Sequence, residues 1–101
     1  MLGIQTKQPA DQEDYDIDFS RWLPPGDIVT TIAAVVDPVW DAIANPNGVQ
    51  ILSTQVAVDG QTVKVWVNGG ETGKSYKVTA TASTAGGRVK EVDFQIRVKD
   101  C

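Results

Sequence analysis

Hydrophobic and polar residues alternate with a period of two in several separate stretches of this chain. Because neighbouring side chains of a β-strand point to opposite faces, this period is typical of half-buried strands. The alternation is most regular near the carboxyl end, on a face formed by Val92, Phe94, Ile96 and Val98. The other alternating stretches are Asp14 to Phe19, Thr62 to Asn68 and Tyr76 to Ala82. Together they predict a fold built from strands.

Two further stretches are rich in β-branched residues, Ile28 to Val36 and Val49 to Val58. The first is long enough for a central strand, and Asp59-Gly60 after the second is a strong hairpin signal. Asp37 to Gly48 is predicted as a loop, whose apolar residues form one helical turn or plug the end of a sandwich. Six or so strands without a convincing helix predict an antiparallel all-β sandwich, with a small open barrel as the alternative.

Two features of this layout depend on contacts that a sequence does not contain. Residues 1–13 carry no period and are predicted as an extended N-terminal arm, followed by the sandwich domain at 14–101. In the stretch from Thr62 to Asn68, three valines share one face and Trp66 lies on the other. Either face can pack inward, and the register of the strand decides which.

Composition limits the chemistry. The 101 residues include no histidine and a single cysteine, Cys101, so the usual general base, the common catalytic triads, an internal disulfide and a Cys-based zinc site are all absent. We therefore predict a non-enzymatic protein with no catalytic residues, no cofactor and no metal. No apolar run approaches the roughly 20 residues of a membrane helix, and the N-terminus shows no targeting signal, so no membrane partner is expected.

Three short motifs suggest ligands but have simpler explanations. Asp14, Asp16 and Asp18 suggest calcium, yet EF-hand spacing fails, so a solvated or lysine-paired row is favoured. The Gly-Lys-Ser within Gly69 to Ser75 resembles the end of a phosphate-binding loop, but Asn68 replaces the required glycine and no helix follows. The basic residues near the carboxyl end are interleaved with acids, so no nucleic-acid partner is expected.

Charge is distributed unevenly along the chain. Residues 1–60 contain nine acids and two bases, a balance of −7, whereas residues 61–101 contain seven bases and four acids, a balance of +3. The two halves therefore attract each other. Either they are complementary strands of one sandwich, or identical subunits assemble head to tail.

Aromatic and glycine residues provide the candidate sites. Tryptophan is enriched at interface hot spots, so Trp22, next to Pro24 and Pro25, and Trp40, in the predicted loop, are candidate contact residues. Tyr76 opens a strand shortly after a glycine-containing turn, which suggests either a tyrosine corner or a plain core aromatic. The remaining structural candidates are Trp66, Gly69, Gly70 and Gly73.

Several motifs occur together in a specific order. They are Asp-x-Asp-Phe-Ser-x-Trp-Leu at 16–23, Asp-Ile-Val at 27–29, Trp-Val-Asn-Gly-Gly-Glu-Thr-Gly-Lys-Ser-Tyr-x-Val-Thr at 66–79, Ala-Gly-Gly-Arg at 85–88 and Phe-x-Ile-x-Val at 94–98. This arrangement resembles the fibre-tail adaptor family of tailed phages, small virion structural proteins with an immunoglobulin-like fold. The similarity spans most of residues 7–99, and the segment 37–48 fits it least.

The resemblance implies an immunoglobulin-like β-sandwich of about six to seven strands with an extended N-terminal arm. It also implies a virion protein, assembled in the host cytoplasm, that acts as an adaptor at the head-tail or tail-fibre joint. Its partners would be other phage structural proteins, namely tail, fibre, connector or capsid, and further copies of itself. The alternatives are a capsid decoration protein and a carbohydrate-binding or adhesive module.

Overall fold

The computed structural model of the chain describes residues 3–99. Cys101, the lone thiol, lies outside the described residues. Within them the chain forms seven strands and no helix, so no segment there is a helix able to cross a membrane. The strands are β1 (Ile4–Lys7), β2 (Glu13–Asp18), β3 (Val29–Asp37), β4 (Val49–Val56), β5 (Thr62–Gly69), β6 (Ser75–Thr84) and β7 (Val89–Val98).

The strands form two sheets that enclose one hydrophobic core. One sheet has the order β1-β7-β6-β3 and the other has the order β2-β5-β4. Neighbouring strands are antiparallel except β1 and β7, which run parallel. The all-β sandwich predicted from the alternating pattern is therefore confirmed.

The core is formed by the faces that the alternation identified. On β7 the inward face is the predicted one, and on β6 it begins with the buried Tyr76. On β5 the structure resolves the ambiguity, because Val63, Val65 and Val67 are fully buried while Trp66 lies half-buried on the outer face. Turning the face with three valines inward buries more apolar surface than turning the face with Trp66, Lys64 and Asn68 inward would.

Strand order departs from the sequence-based expectation at β3. The run from Ile28 to Val36 suggested a central strand, but β3 is the edge of its sheet and pairs only with β6. An uncharged β-branched run usually indicates a strand covered on both faces. Here the outer face of β3 is uncovered, since Val35 is 62% exposed.

Strand β1 lies within the segment predicted as an arm and was not itself predicted. It pairs with β7 from Ile4↔Gln95 to Lys7↔Val98. Four residues are too short for a period to show, and three of the four are exposed. The pairing depends on the neighbouring strand rather than on the local pattern.

Two connections agree with their predictions. Residues 38–48 form an irregular loop rather than a helical turn. β4 and β5 form a hairpin around Asp59-Gly60, in which the Ala57 N–H donates to the Thr62 carbonyl at 2.8 Å and the Gly60 N–H donates to the Ala57 carbonyl at 2.9 Å. Gly60 adopts a φ of 70°, which glycine adopts without strain.

Tyr76 joins the core to the β5–β6 connection. Its side chain is 1% exposed, and its Oη accepts a hydrogen bond from the Glu71 N–H at 3.1 Å. A tyrosine near the start of this strand, bonded to backbone a few residues upstream, has the geometry of a tyrosine corner. The bond holds the turn that carries Gly69, Gly70 and Gly73 against the sheet.

Two tyrosines of the sandwich provide a matched pair of tests. We expect Tyr76→Phe to lower the free energy of unfolding by about 1 kcal/mol, because the Glu71 N–H loses its partner. Tyr15→Phe should leave stability unchanged or raise it, since the buried Tyr15 Oη has no hydrogen-bond partner among residues 3–99. Urea denaturation of both variants measures the difference, and a greater loss in Tyr15→Phe than in Tyr76→Phe would contradict this assignment.

Candidate assembly interface

The connections between strands gather at two opposite ends of the sandwich. At one end, here called the Trp22 end, the β2–β3, β4–β5 and β6–β7 connections meet. The Phe19 N–H donates to the Gln61 carbonyl at 2.8 Å, the Val29 N–H to the Gly60 carbonyl at 2.8 Å, and the Ala85 N–H to the Ile28 carbonyl at 3.0 Å. The other end, here called the Trp40 end, contains the remaining three connections.

Asp27 holds the Trp22 end together. Its buried carboxylate accepts hydrogen bonds from the Gly86 N–H at 2.9 Å and from Arg88 Nη1 at 3.2 Å. Burial of the Asp27 carboxyl raises its pKa, but the hydrogen bonds that it accepts lower the pKa further, and the balance lies below the ordinary value. The carboxylate therefore stays ionised at neutral pH and joins two connections that are distant in sequence.

Trp22 lies on the surface of this end. Its ring meets the buried Phe19 ring edge-on with centroids 5.4 Å apart, and Lys90 Nζ lies 5.1 Å from the Trp22 ring centroid. The side chain is 36% exposed, which makes it one of the large hydrophobic residues that the fold leaves at the surface. Of the two neighbouring prolines, Pro24 is half-buried and Pro25 is exposed. An aromatic with one fixed edge and one free face is suited to a protein contact.

A groove of about 340 Å³ lies beside Trp22, lined by Gln5 of β1, by β2 and by Phe94 of β7. Tyr15 also lines it, and its ring packs against Phe94 with centroids 5.4 Å apart. Burial raises the pKa of Tyr15 to about 12, so its phenol remains protonated at neutral pH. The groove thus presents aromatic surface together with the charged side chains of Asp16, Asp18 and Arg21.

The Trp40 end carries a loop, residues 38–48, that is fixed by its own hydrogen bonds. The Asp41 carboxylate accepts from the Ile43 and Ala44 N–H groups at 2.7 and 2.9 Å, which lowers the pKa of Asp41. Trp40 Nε1 donates to the Pro46 carbonyl at 3.1 Å, and Asn45 Nδ2 to the Val39 carbonyl at 3.0 Å. Trp40 is therefore half-buried and helps to hold the loop in shape.

Two other apolar side chains of this loop point into solvent. Val39 is 70% exposed and Ile43 is 93% exposed. Both residues were predicted to form part of a helical turn or of a plug for the sandwich, and neither was predicted as a contact. In the sequence these residues belong to a cluster of apolar residues between prolines and asparagines. A loop that plugs the sandwich and a loop that exposes apolar side chains have the same composition, so composition does not distinguish them.

Lys7 connects the N-terminal segment to the same end. Its buried ammonium donates to the Gly69 carbonyl and to the Gln8 carbonyl, each at 2.6 Å. Burial lowers the pKa of Lys7, while the nearby charges of Asp11 and Glu13 raise it by less. Gly69 and Gly70 thus lie where β1, the 38–48 loop and the β5–β6 connection meet, since the Gly70 N–H also donates to the Asn47 carbonyl at 3.0 Å.

The structure separates the residues chosen as contact candidates. Trp22, Pro24 and Pro25 lie at one end of a molecule whose longest dimension is 42 Å, and Trp40 lies at the other.

The acidic row on β2 is partly neutralised by Lys64, whose Nζ lies 2.9 Å from Asp14 and 3.9 Å from Asp16. This pair and the Arg88–Asp27 pair both join the acidic half of the chain to its basic half.

Comparison with models of known protein families identifies a match. The family model described as podophage GP4 fiber-tail adaptor protein gp77 matches residues 7–97, which is most of the chain. No curated protein sequence matches. The matched span includes all of β2 to β6 and both ends of the sandwich.

Proposed function

Because this chain belongs to the podophage fibre-tail adaptor family, we propose that it joins a phage tail to its fibre by binding one protein at each end of the sandwich. Membership of the family supports a structural adaptor role in the virion and contact with other phage structural proteins. The observation that carries the finer proposal is the placement of two unlike exposed surfaces at opposite ends. Trp22, with Lys90 over its ring, occupies one end together with the exposed Val58 and Val89, and Val39 with Ile43 occupies the other.

The two surfaces are suited to different partners. At the Trp22 end, Lys90 lies over the aromatic ring, and the groove beside the ring is lined by Asp16, Asp18 and Arg21, a combination that favours an aromatic segment with polar or basic side chains. At the Trp40 end, the fixed loop presents aliphatic side chains that fit an apolar pocket. An adaptor of about 40 Å with unlike ends holds its two neighbours apart and in a defined order.

We also propose that the sandwich is immunoglobulin-like. The orders β2-β5-β4 and β7-β6-β3 correspond to the B-E-D and G-F-C orders of that fold, and the bond from Glu71 to Tyr76 corresponds to its tyrosine corner. The segment 1–13, predicted as an arm, is proposed to contact a neighbouring subunit through its exposed side chains, since three of the four residues of β1 are exposed.

The two-ended arrangement predicts two different defects. Ile43→Asp and Trp22→Ala should each weaken one contact by at least about tenfold, because both replace an exposed apolar anchor. One variant should then be missing from purified particles, and the other should be present in particles that lack fibres. Quantitative mass spectrometry of particles from a complemented deletion phage measures both outcomes.

The control for this experiment is Ser53→Asp, on an exposed position in the middle of β4, between the two ends. It should give particles with normal amounts of adaptor and fibre. All variants are first compared by circular dichroism and thermal melting to show that they fold. The same defect in both variants, or normal particles from both, would contradict a two-ended adaptor.

Antibody labelling of intact particles tests the location. Gold label at the tail or at the tail-fibre joint is the expected result. Label spread over the head would instead indicate a capsid decoration protein, and the adaptor proposal would be abandoned.

A further inference from the structure

The four edge strands of the two sheets are protected unequally against pairing with other strands. Sheet edges are commonly protected by short length, by charged side chains or by bulges. Strand β1 has four residues, β2 carries Asp14, Asp16 and Asp18, and β4 has an irregular register between Ile51 and Ser53. Each of these three edges therefore carries one recognised form of protection.

Strand β3 lacks comparable protection along most of its length. It has nine residues, contains no proline, and bears no charge before its last residue, Asp37. Its register irregularity lies between Val29 and Thr31, which leaves residues 31–37 regular. On the outer face Ala33 and Val35 are exposed, and among the described strands only β6 pairs with β3, whose first residue also donates its N–H to the Gly60 carbonyl. A long, uncharged edge of this kind is a template for a further strand.

We infer that β3 pairs antiparallel with β3 of a second copy of this chain, joining two four-stranded sheets into one of eight strands. A two-fold contact of this kind is self-complementary, and it is the commonest symmetry of oligomers. Antiparallel pairing about the middle of β3 sets Asp37 of each copy against the uncharged beginning of the other strand. Parallel pairing would set Asp37 against Asp37, and pairing β2 with itself would bring aspartates together.

The surface next to β3 favours the same arrangement. Ile28, just before β3, is 45% exposed, and Val39, just after it, is 70% exposed. Antiparallel pairing brings Val39 of one copy towards Ile28 of the other at both ends of the contact. The paired edge is roughly 30 Å long and covers less than the roughly 800 Å² per partner of a standard interface. We therefore expect a reversible dimer that depends on concentration.

The inference goes beyond the proposed function, because the pairing runs along β3 and does not use Trp22 or Ile43, the residues whose substitution tests the two ends. Failure of the adaptor proposal would appear in particle composition, whereas failure of this inference would appear in the mass of the isolated protein. The two results can therefore be told apart.

The test uses opposite charges at one exposed position. Ala33→Lys and Ala33→Glu each bring like charges together across the two-fold axis, so each should raise the dimer dissociation constant by at least about tenfold. An equimolar mixture of the two variants should dimerise again, because a Lys then faces a Glu. Sedimentation equilibrium of the full chain over a range of concentrations measures the association, against a monomer mass of 10.9 kDa.

The matched control is Gln55→Lys, which adds the same charge to an exposed position of the edge strand β4 and should leave the dimer unchanged. Thermal melting shows that each variant is folded. A wild-type chain that remains monomeric at its highest soluble concentration would overturn the inference. So would a dimer that the Ala33 variants leave intact, or a mixture that does not associate again.

Discussion

Gly69→Ala should lower the free energy of unfolding by about 3 kcal/mol. Gly69 has a φ of 79°, and an L-residue in this left-handed region costs about 1–2 kcal/mol. An added Cβ would also lie 2.5 Å from the Gly48 carbonyl oxygen, a backbone atom that moves only if the start of β4 moves. Overpacking of this kind adds roughly 1–3 kcal/mol.

The chain offers a control that separates backbone strain from the clash. Gly73, in the connection that follows Gly69, has a φ of 83°, but nothing lies within 4 Å of the position that its Cβ would take. Gly73→Ala should therefore cost only about 1–2 kcal/mol. Chemical denaturation of both variants gives the comparison. Equal losses would show that close approach to Gly48 has no role, and a harmless Gly69→Ala would contradict the observed backbone.

Asp27→Ala should lower the melting temperature by about 10 °C at neutral pH, a large change for a domain of this size. The substitution removes the acceptor for the Gly86 N–H and for Arg88, and it leaves the Ile28 N–H without its side-chain partner. A donor left unpaired costs more than the bond itself contributes. Two connections at the Trp22 end, β2–β3 and β6–β7, lose part of their attachment as a result.

The effect should depend on pH in a defined direction. The pKa of Asp27 is lower in the folded state than the value of about 3.9 expected when unfolded. The carboxylate therefore contributes stability above about pH 4, and this contribution is lost as the pH falls through the folded pKa. The difference in melting temperature between wild type and Asp27→Ala should be constant above about pH 5. It should become smaller in more acidic buffers.

Asp59 serves as the control at the same end. Its carboxylate is exposed and accepts from the Gln61 and Thr62 N–H groups at 2.9 and 3.3 Å. Asp59→Ala should lower the melting temperature by less than half as much, because water replaces the lost acceptor. If the difference in melting temperature between wild type and Asp27→Ala stays constant into acidic buffers, ionisation of Asp27 does not stabilise the fold.

The strands and their inward faces were largely readable from the sequence. Alternation identified the buried sides of β2, β6 and β7, because the direction of a side chain in a strand follows from its position alone. It failed for β1, whose four residues are too few to show a period. On β5 it left two possibilities, and packing of the valines decided between them.

The candidate interface was less predictable. Trp22, predicted as a contact residue, is partly exposed, whereas Trp40, also predicted as a contact residue, supports a loop whose exposed large hydrophobic residues are Val39 and Ile43. A tryptophan in a loop contributes either to a contact or to the loop itself. Which of these applies depends on whether its N–H finds a partner nearby, as Trp40 does in the Pro46 carbonyl.

The sequence by itself determined that the chain is an all-β sandwich, where its main turns fall and which face of most strands is apolar. These properties are local, since they follow from side-chain direction and from the backbone preferences of glycine and proline. Only the tertiary structure decided that β3 is an edge, that Asp27 meets Arg88 across 61 positions, and that Trp22 and Trp40 lie at opposite ends. Those properties depend on which distant strands pair, and pairing is set by the total apolar surface that the two sheets bury together.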